Sequence, residues 1–277
     1  MKGRPDEPIV LDATGFNEVR MCRDGPMVYN RNDRFIGRSL ARYGEYSHGE
    51  AVLFAQVVKP GWVVVEAGAN IGTHTVALSR LAGAAGQVHT FEPQRLVFQT
   101  LCANLALNHC TNVYARQAGA GRERGTLVVP ALDPRIAANF GGVALGKEEG
   151  DETVEVLAID DLDLPMCHLI KVDVEGMELD VLRGADATVG AYRPVLYLEN
   201  DRAEGSRGLF EALFALNYDA WWHIPPLFNA DNWFGESEDL FPGIASINVL
   251  CLPREANARI EGLPAVRSVD ERWKDVV

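Results

Sequence analysis

The run Trp62-Val-Val-Val-Glu66-Ala-Gly68-Ala-Asn70-Ile-Gly72-Thr73 most narrows what this chain can fold into. A short apolar stretch without polar alternation suits a strand buried on both faces, as in a parallel sheet. The acid and the two spaced glycines that follow read as a turn into a helix, with Gly68 and Gly72 letting backbone approach a ligand closely. The expected fold therefore carries a nucleotide-like cofactor above this turn. A dinucleotide fingerprint needs glycines at the first, third and sixth positions of the turn. Counted from Gly68, this chain has Asn70 and Thr73 at the third and sixth. The spacing disfavours NAD, and an NAD-dependent oxidoreductase stays only as a distant alternative.

What is left, acid-x-Gly-x-x-x-Gly, resembles the loop that class I methyltransferases wrap around S-adenosylmethionine (SAM). A second run, Gln87-Val-His-Thr-Phe91-Glu92-Pro93, also ends in an acid. An acid at that strand end can accept both ribose hydroxyls of a bound nucleoside. The competing structural reading of Glu92 is a helix-start acid attracted by the macrodipole. Glu66 closes the first strand at the glycine loop, where it is placed to bind the SAM ammonium directly or through water.

Composition bounds the partners. The 277 residues carry a formal charge of −13 and a pI near 4.9. Binding nucleic acid depends on Lys and Arg neutralising phosphates, so a DNA or RNA substrate is disfavoured. No stretch approaches the roughly 18–20 apolar residues of a membrane span, and Met1-Lys-Gly-Arg-Pro-Asp-Glu has no apolar core behind it. These features predict a cytoplasmic protein. The five cysteines lack Cys-x-x-Cys spacing and read as free thiols.

Along the chain, residues 1–45 form a polar, hairpin-bearing extension, and a helix follows over 49–58. Strands are then expected at 62–66, 87–91, 111–117, 168–172, 195–199, 218–223 and 245–252. Helices fall at 73–82, 94–107, 178–182 and 208–216. Such alternation implies a doubly wound α/β sheet. The catalytic domain spans 46–253, with a β-rich insertion at 122–157 and an aromatic loop at 221–244, and a charged, peripheral tail follows over 254–277.

Strand alternation places Lys171, Asp173 and Glu175 on one side of the fourth strand and Ile170, Val172 and Val174 on the other. Ligands of open parallel sheets lie beyond the strands' carboxyl ends, so Asp173 is expected within reach of the transferring methyl group. A purely structural ion pair of Lys171 with Asp173 or Glu175 is the alternative. Asp173, Glu199 and Asn200 together offer hard oxygen ligands for Mg2+, resembling in placement the site of catechol-type O-methyltransferases. Without metal, the general base would be Asp173, Glu175 or His223. Tyr46, Ser47 and Glu50 are expected to fold over the cofactor's amino-acid end, although Ser47 and Glu50 also fit a capping box. Trp221, Trp222, Phe228, Trp233 and Phe234 could stack on an acceptor ring, or instead cover a sheet edge or homodimer interface. Arg135, Asn139 and Phe140 are weaker candidates for the opposite wall.

Taken together, Val64-Val-Glu-Ala-Gly-Ala-Asn-Ile-Gly72, Phe91-Glu-Pro93, Asn104 with Asn108, and above all Ile170-Lys-Val-Asp-Val-Glu-Gly-Met-Glu178 with Leu182-Arg-Gly-Ala185 resemble the FkbM family of SAM-dependent methyltransferases. The likeness runs from about Tyr43 to Asn200. It implies a Rossmann-like class I fold: a doubly wound, seven-stranded, mostly parallel sheet with an antiparallel last strand. It also implies SAM as donor and hydroxyl acceptors on sugars, glycosides, polyketides or related secondary metabolites. Glu66, Gly68 and Glu92 map to cofactor binding, and Asp173 with Glu175 to the active-site edge. Glu66 stands where many members carry Asp. N-methylation or a peptide substrate is the runner-up.

Overall fold

The computed structural model describes residues 9–10, 14–142 and 152–276. The chain opens with a three-stranded antiparallel sheet of β1 (Ile9–Val10), β2 (Asn17–Cys22) and β3 (Gly25–Asn30). Two helices follow, α1 (Ile36–Tyr43) and α2 (His48–Val57). The first was not legible in the sequence; it ends at Gly44, whose φ of 68° and N–H to the Leu40 carbonyl form a left-handed cap.

The α/β alternation then runs β4 (Val63–Ala67), α3 (Thr73–Ala82), β5 (Gln87–Phe91), α4 (Arg95–Leu107) and β6 (Val113–Arg116). Next come three short strands, β7 (Gly119–Ala120), β8 (Gly125–Val129) and β9 (Glu152–Leu157), which pair as a small separate sheet in the order β7-β9-β8. Residues 143–151 of the expected insertion lie outside the described residues. Alternation resumes with β10 (Leu169–Val172), α5 (Glu178–Arg183), α6 (Asp186–Tyr192), β11 (Val195–Glu199), α7 (Ala203–Ala215), β12 (Tyr218–His223) and β13 (Asn248–Pro253).

The central sheet has seven strands in the order β12-β13-β11-β10-β4-β5-β6. The pairs from β11 through β6 are parallel, and β13 is antiparallel to both its neighbours. This is the Rossmann-like class I methyltransferase sheet expected above. The chain winds outward from β4 through β5 to β6, then returns to place β10 on the other side of β4. The topological switch thus falls between β4 and β10, where an α/β sheet opens a ligand crevice at its carboxyl end.

Alternation sorts the side chains. Val63, Val65, Ile170, Val172, Leu196 and Leu198 join one core cluster, with α5, α6 and α7 residues such as Val181, Val189 and Phe210. Val64, Leu169 and Tyr197 join the other, with Phe54 of α2 and Leu78 of α3. Glu66 and Lys171 continue the second face, so both side chains are carried toward α2 and α3. No helix among the described residues is long and apolar enough to cross a membrane.

The segment beyond β13 is not merely peripheral. Trp222 donates its backbone N–H to Pro264 and its indole Nε1–H to Glu271, and the Val266 N–H bonds the Ala220 carbonyl. The tail thereby covers the edge strand β12, whose outer backbone groups would otherwise lack partners within the sheet.

Candidate active site

A cavity opens at the carboxyl ends of β4, β10 and β11, against the first turn of α3. Its floor is the glycine loop. Gly68 and Ala69 both donate backbone N–H bonds to the Phe91 carbonyl, which stitches the loop to the end of β5. Gly68 has a φ of 83°, and a Cβ built there would lie 1.7 Å from the Asp173 carbonyl oxygen. Glycine is thus demanded by backbone passing over the tip of β10, a reason the motif alone did not show.

Glu92 lines the cavity at the end of β5 and is 3% exposed. Its Oε2 accepts the Asn70 backbone N–H at 3.0 Å and its Oε1 the Gln94 N–H at 2.8 Å. Burial pushes its pKa up to about 7, with these two bonds pulling it down and Asp173 and Glu66 pushing it up. Two of roughly four carboxylate lone-pair directions are in use, so two stay open to a ligand's hydroxyls.

At the tip of β10, parallel register sets Lys171 beside Glu66 of β4 and Tyr197 of β11. Lys171 is 2% exposed, with its ammonium 3.4 Å from Asp173 Oδ2 and 3.8 Å from Glu66 Oε1. Burial works to lower its pKa, but the carboxylates of Asp173, Glu66 and Glu50 outweigh it and raise the value, so the side chain stays cationic. Lys171 thus pairs with Asp173, and Asp173 also lines the cavity.

Beyond that pair, Asp173, Glu175 and Glu199 bring one carboxylate oxygen each within 4.8 Å of one another. Glu175 has a φ of 58°, followed by Gly176 at 106°, a left-handed turn that swings it back toward the β11 tip. Its Oε2 pairs with the Arg202 guanidinium. Burial pushes the Glu175 pKa up to about 7, with Asp173 adding to the rise and Arg202 opposing it. Glu199 is raised well above the ordinary carboxylate range, by burial first and then by Asp173 and Glu175. Its Oε2 is shielded from solvent and has no hydrogen-bond partner.

Another wall comes from the link before α2, from α2 and from the first turn of α3, where Tyr46, Glu50, Thr73 and His74 line the cavity. Burial, reinforced by Asp173, raises the Tyr46 hydroxyl well above its ordinary pKa, making it a neutral donor rather than a base.

The structure thus brings Tyr46, Gly68, Asn70, Thr73, Glu92, Lys171, Asp173, Glu175 and Glu199 to one cavity. Five other expected residues do not line it. Ser47 is fully buried beneath the wall, where its hydroxyl donates to Glu50 Oε1 at 2.7 Å; it makes no side-chain cap bond, so the capping-box alternative does not hold either. Glu66 lies under the floor: its Oε2 accepts the hydroxyls of Thr75 at 2.6 Å and Thr90 at 3.3 Å, because β4 directs it at α3. Gly72 caps α3 with a φ of 88° and faces Leu101. Asn200 is buried on the side away from the acidic trio, since consecutive strand residues point oppositely, and Glu175 stands where the sequence suggested an amide. His223 accepts or donates at 2.8 Å to the Tyr197 hydroxyl and lies behind the cavity rather than in it.

The rings named in the aromatic loop pack within the protein, nearer the covering reading than the acceptor-stacking one. Trp222 is buried edge-on to Phe210, Phe228 packs on Tyr43, and Trp233 and Phe234 lie under the guanidiniums of Arg23 and Arg20. Glu45, 5% exposed, staples this loop to the hairpin by accepting from Arg23, Asn229 and the Trp233 N–H. The loop reaches the cavity through Leu227 and its closing residues Ile244, Ala245 and Ser246 instead. Of the insertion candidates, Asn139 lines the cavity, Phe140 is buried and Arg135 is exposed on Asp133. Ser246, Asn248 and the side chain of His74 were missed as lining groups; nearness to the start of β13 could have signalled the first two, and the helix start after the glycine loop the third.

Comparison with known proteins is consistent with this geometry. Residues 66–220 match the Methyltransferase FkbM domain, which covers the sheet from the end of β4 into β12. Methyltransferase 1 of Beauveria bassiana is 32% identical over 146 residues, 44% of this chain and 58% of that protein. Methyltransferase sdnD of Sordaria araneosa is 30% identical over 184 residues, 54% of this chain and 70% of that one. The hexuronic acid methyltransferase AglP of Haloferax volcanii is 34% identical over 127 residues, 44% of this chain and 49% of AglP. The matches therefore span 49–70% of the length of these relatives. A solved FkbM methyltransferase from Methylobacillus flagellatus KT aligns with 73% of this chain and 50% of its own, at 18% identity and a TM-score of 0.48. With the family match running through the glycine loop, Glu92 and the acidic tips of β10 and β11, this chain belongs to the FkbM methyltransferase family.

Proposed function

We propose that the protein is a SAM-dependent O-methyltransferase acting on a hydroxyl of a small molecule, of the sugar, glycoside or polyketide-like class. The observation that carries this reading is the convergence of Asp173, Glu175 and Glu199 on the lining of a cavity floored by the glycine loop. The name of the hexuronic acid methyltransferase among its relatives supports a hydroxylated acceptor. The residues fit the cofactor: Glu92 keeps open lone pairs for two ribose hydroxyls, and the buried His74 Nε2 lacks any partner within the protein.

When bound, the cofactor supplies an electrophilic methyl group on a sulfonium sulfur. Gly68 lets the loop backbone lie under it, and Glu92 orients the ribose. An acceptor hydroxyl must lose its proton as its oxygen is methylated, and Asp173 or Glu175 on the cavity lining would take it. A base whose pKa lies near 7, as at Glu175, is matched to that task at neutral pH. Lys171 holds Asp173 in place and offsets the concentration of negative charge.

The same three carboxylates are hard oxygen donors suited to a divalent cation. A metal there would lower the pKa of the acceptor hydroxyl.

The test is titration calorimetry with S-adenosylhomocysteine (SAH), with and without Mg2+, followed by a screen of hydroxylated acceptors using methyl-labelled SAM. Saturable SAH binding, lost in Glu92→Ala, and label transfer to an alcohol oxygen are expected. Absence of SAH binding would overturn the cofactor assignment, and transfer only to amines would overturn the acceptor class.

A further inference from the structure

The sequence points to Glu66 as the ligand of the cofactor's ammonium, yet the folded chain removes it from the cavity. Both hydroxyl bonds on its Oε2 come from within the protein, and its Oε1 is buried without a hydrogen bond, 3.8 Å from the Lys171 ammonium. A second acid stands on the wall instead. Glu50, in the first turn of α2, lines the cavity and is only 3% exposed. Its Oε1 accepts the Ser47 hydroxyl at 2.7 Å, and Ser47 lies 3.0 Å from the Ser246 hydroxyl, so the carboxylate is held from the α2 start and from the loop before β13.

His74 faces it. This residue is 6% exposed and lines the same cavity, and its Nε2 is buried with no hydrogen-bond partner. It sits in the first turn of α3, a ten-residue helix whose N-cap Gly72 supplies no side-chain cap bond. Backbone N–H groups at such a helix start favour a carboxylate. An anchored anion beside a helix start and an imidazole whose Nε2 lacks a hydrogen-bond partner is a pairing that suits a zwitterion, an ammonium next to a carboxylate.

Resting on the SAM reading above, we propose that Glu50 binds the α-ammonium of the cofactor's amino-acid end, with His74 and the start of α3 receiving its carboxylate. Glu66 is then a buried structural partner of Lys171, Thr75 and Thr90. Ser47 acts at one remove, as the positioning residue that orients Glu50. The cofactor spans the cavity with its ribose at Glu92 and its zwitterionic end at Glu50, which leaves the acidic trio free for the acceptor.

Two ligands separate this proposal from the reading beneath it. SAH carries the zwitterionic end, and 5′-methylthioadenosine keeps the nucleoside and sulfur but lacks that end. Calorimetry on the full chain is expected to show Glu50→Gln weakening SAH by roughly 30-fold or more, the usual effect of removing one partner of a buried charge pair. Binding of 5′-methylthioadenosine should change less than about twofold, because no lost contact reaches it. Glu66→Gln should show no such selectivity.

Equal weakening of both ligands, weakening of neither, or selective loss in Glu66→Gln would overturn the assignment while leaving SAM binding intact. Wild-type protein that binds neither ligand would overturn the cofactor reading itself. The desamino analogue of SAH, titrated into wild-type protein, decides the matter without any variant. It should bind at least roughly 30-fold more weakly than SAH if Glu50 holds the ammonium, and equal affinity refutes it.

Discussion

Replacing Gly68 by alanine tests whether the glycine loop is packed as tightly on the β10 tip as the structure shows. The new Cβ would lie 1.7 Å from the Asp173 carbonyl oxygen and 2.8 Å from its carbon, both backbone atoms that cannot rotate away. The φ of 83° adds a second penalty for any L side chain. Gly61 supplies a matched control, since its φ is 87° and a Cβ there meets nothing within 4 Å. Left-handed strain alone costs about 1–2 kcal/mol. Overpacking that shifts backbone adds about 1–3 kcal/mol. Gly61→Ala should therefore lose about 1 kcal/mol and Gly68→Ala about 3 kcal/mol. At roughly 2–4 °C per kcal/mol for a domain of this size, the respective Tm shifts are about 2–4 °C and 6–12 °C. Thermal melts followed by circular dichroism measure both, and SAH titration of Gly68→Ala should show weakened binding, because the tip carrying Asp173 must move. Equal Tm losses in the two variants would refute the close approach as the reason for glycine.

Three further outcomes follow from the same geometry. Glu92, with its pKa raised to about 7 from 4.5, holds its proton more tightly folded than unfolded, so its contribution to stability falls as pH rises between those values; ribose hydroxyls prefer its ionised form, so SAH affinity should fall by up to about tenfold per unit below pH 7, a slope that Glu92→Gln must abolish. Lys171→Met leaves the Glu66 and Asp173 carboxylates without their shared cation and should cost about 3–5 kcal/mol in urea denaturation; an unchanged midpoint would show that the buried pair is not formed. Glu45→Ala deprives Arg23, Asn229 and the Trp233 N–H of one acceptor, with an expected loss of about 2–4 kcal/mol and faster amide exchange confined to the loop over 227–241; protection equal to wild type would remove Glu45 as the staple.

Much of this protein was legible from local pattern. The apolar run before Glu66, the acid after Phe91 and the period-two Lys171-Asp173 alternation depend only on strand geometry, which repeats regardless of what packs on it. They led to the sheet, the cavity at its carboxyl edge and the acidic tip of β10. Helix α1 escaped because its sequence, Ile36-Gly-Arg-Ser-Leu-Ala-Arg-Tyr43, is short and polar-interrupted, and its stability comes from packing on the hairpin and the later loop. The aromatic loop stayed open between two readings for a related reason. Aromatic and amide side chains suit a sugar or a protein surface equally well, and only the position of Tyr43, Arg20 and Arg23 decided that these rings cover the fold.

Which acids would face a ligand was likewise a tertiary decision. Alternation along a single strand orders Glu66 and Lys171 on one face, but it does not say that Thr75 of α3 and Thr90 of β5 occupy the Glu66 carboxylate. Glu50, 16 residues earlier, is expected near the cofactor's amino-acid end from its place before the sheet, and it lines the same cavity; that its neighbour Ser47 would be buried beneath the wall was not legible. Asn200 and Glu175 exchanged places for a reason that spans two loops: alternation turned the amide away, while the left-handed turn at Glu175 and Gly176 brought the acid back. By itself the sequence determined the order of strands and helices, the glycine loop and the acids at the strand ends, because backbone periodicity and glycine stereochemistry act over a few residues. Tertiary structure decided which of those acids are partnered internally and which face the cavity, because that depends on hydrogen-bond donors brought together from distant segments.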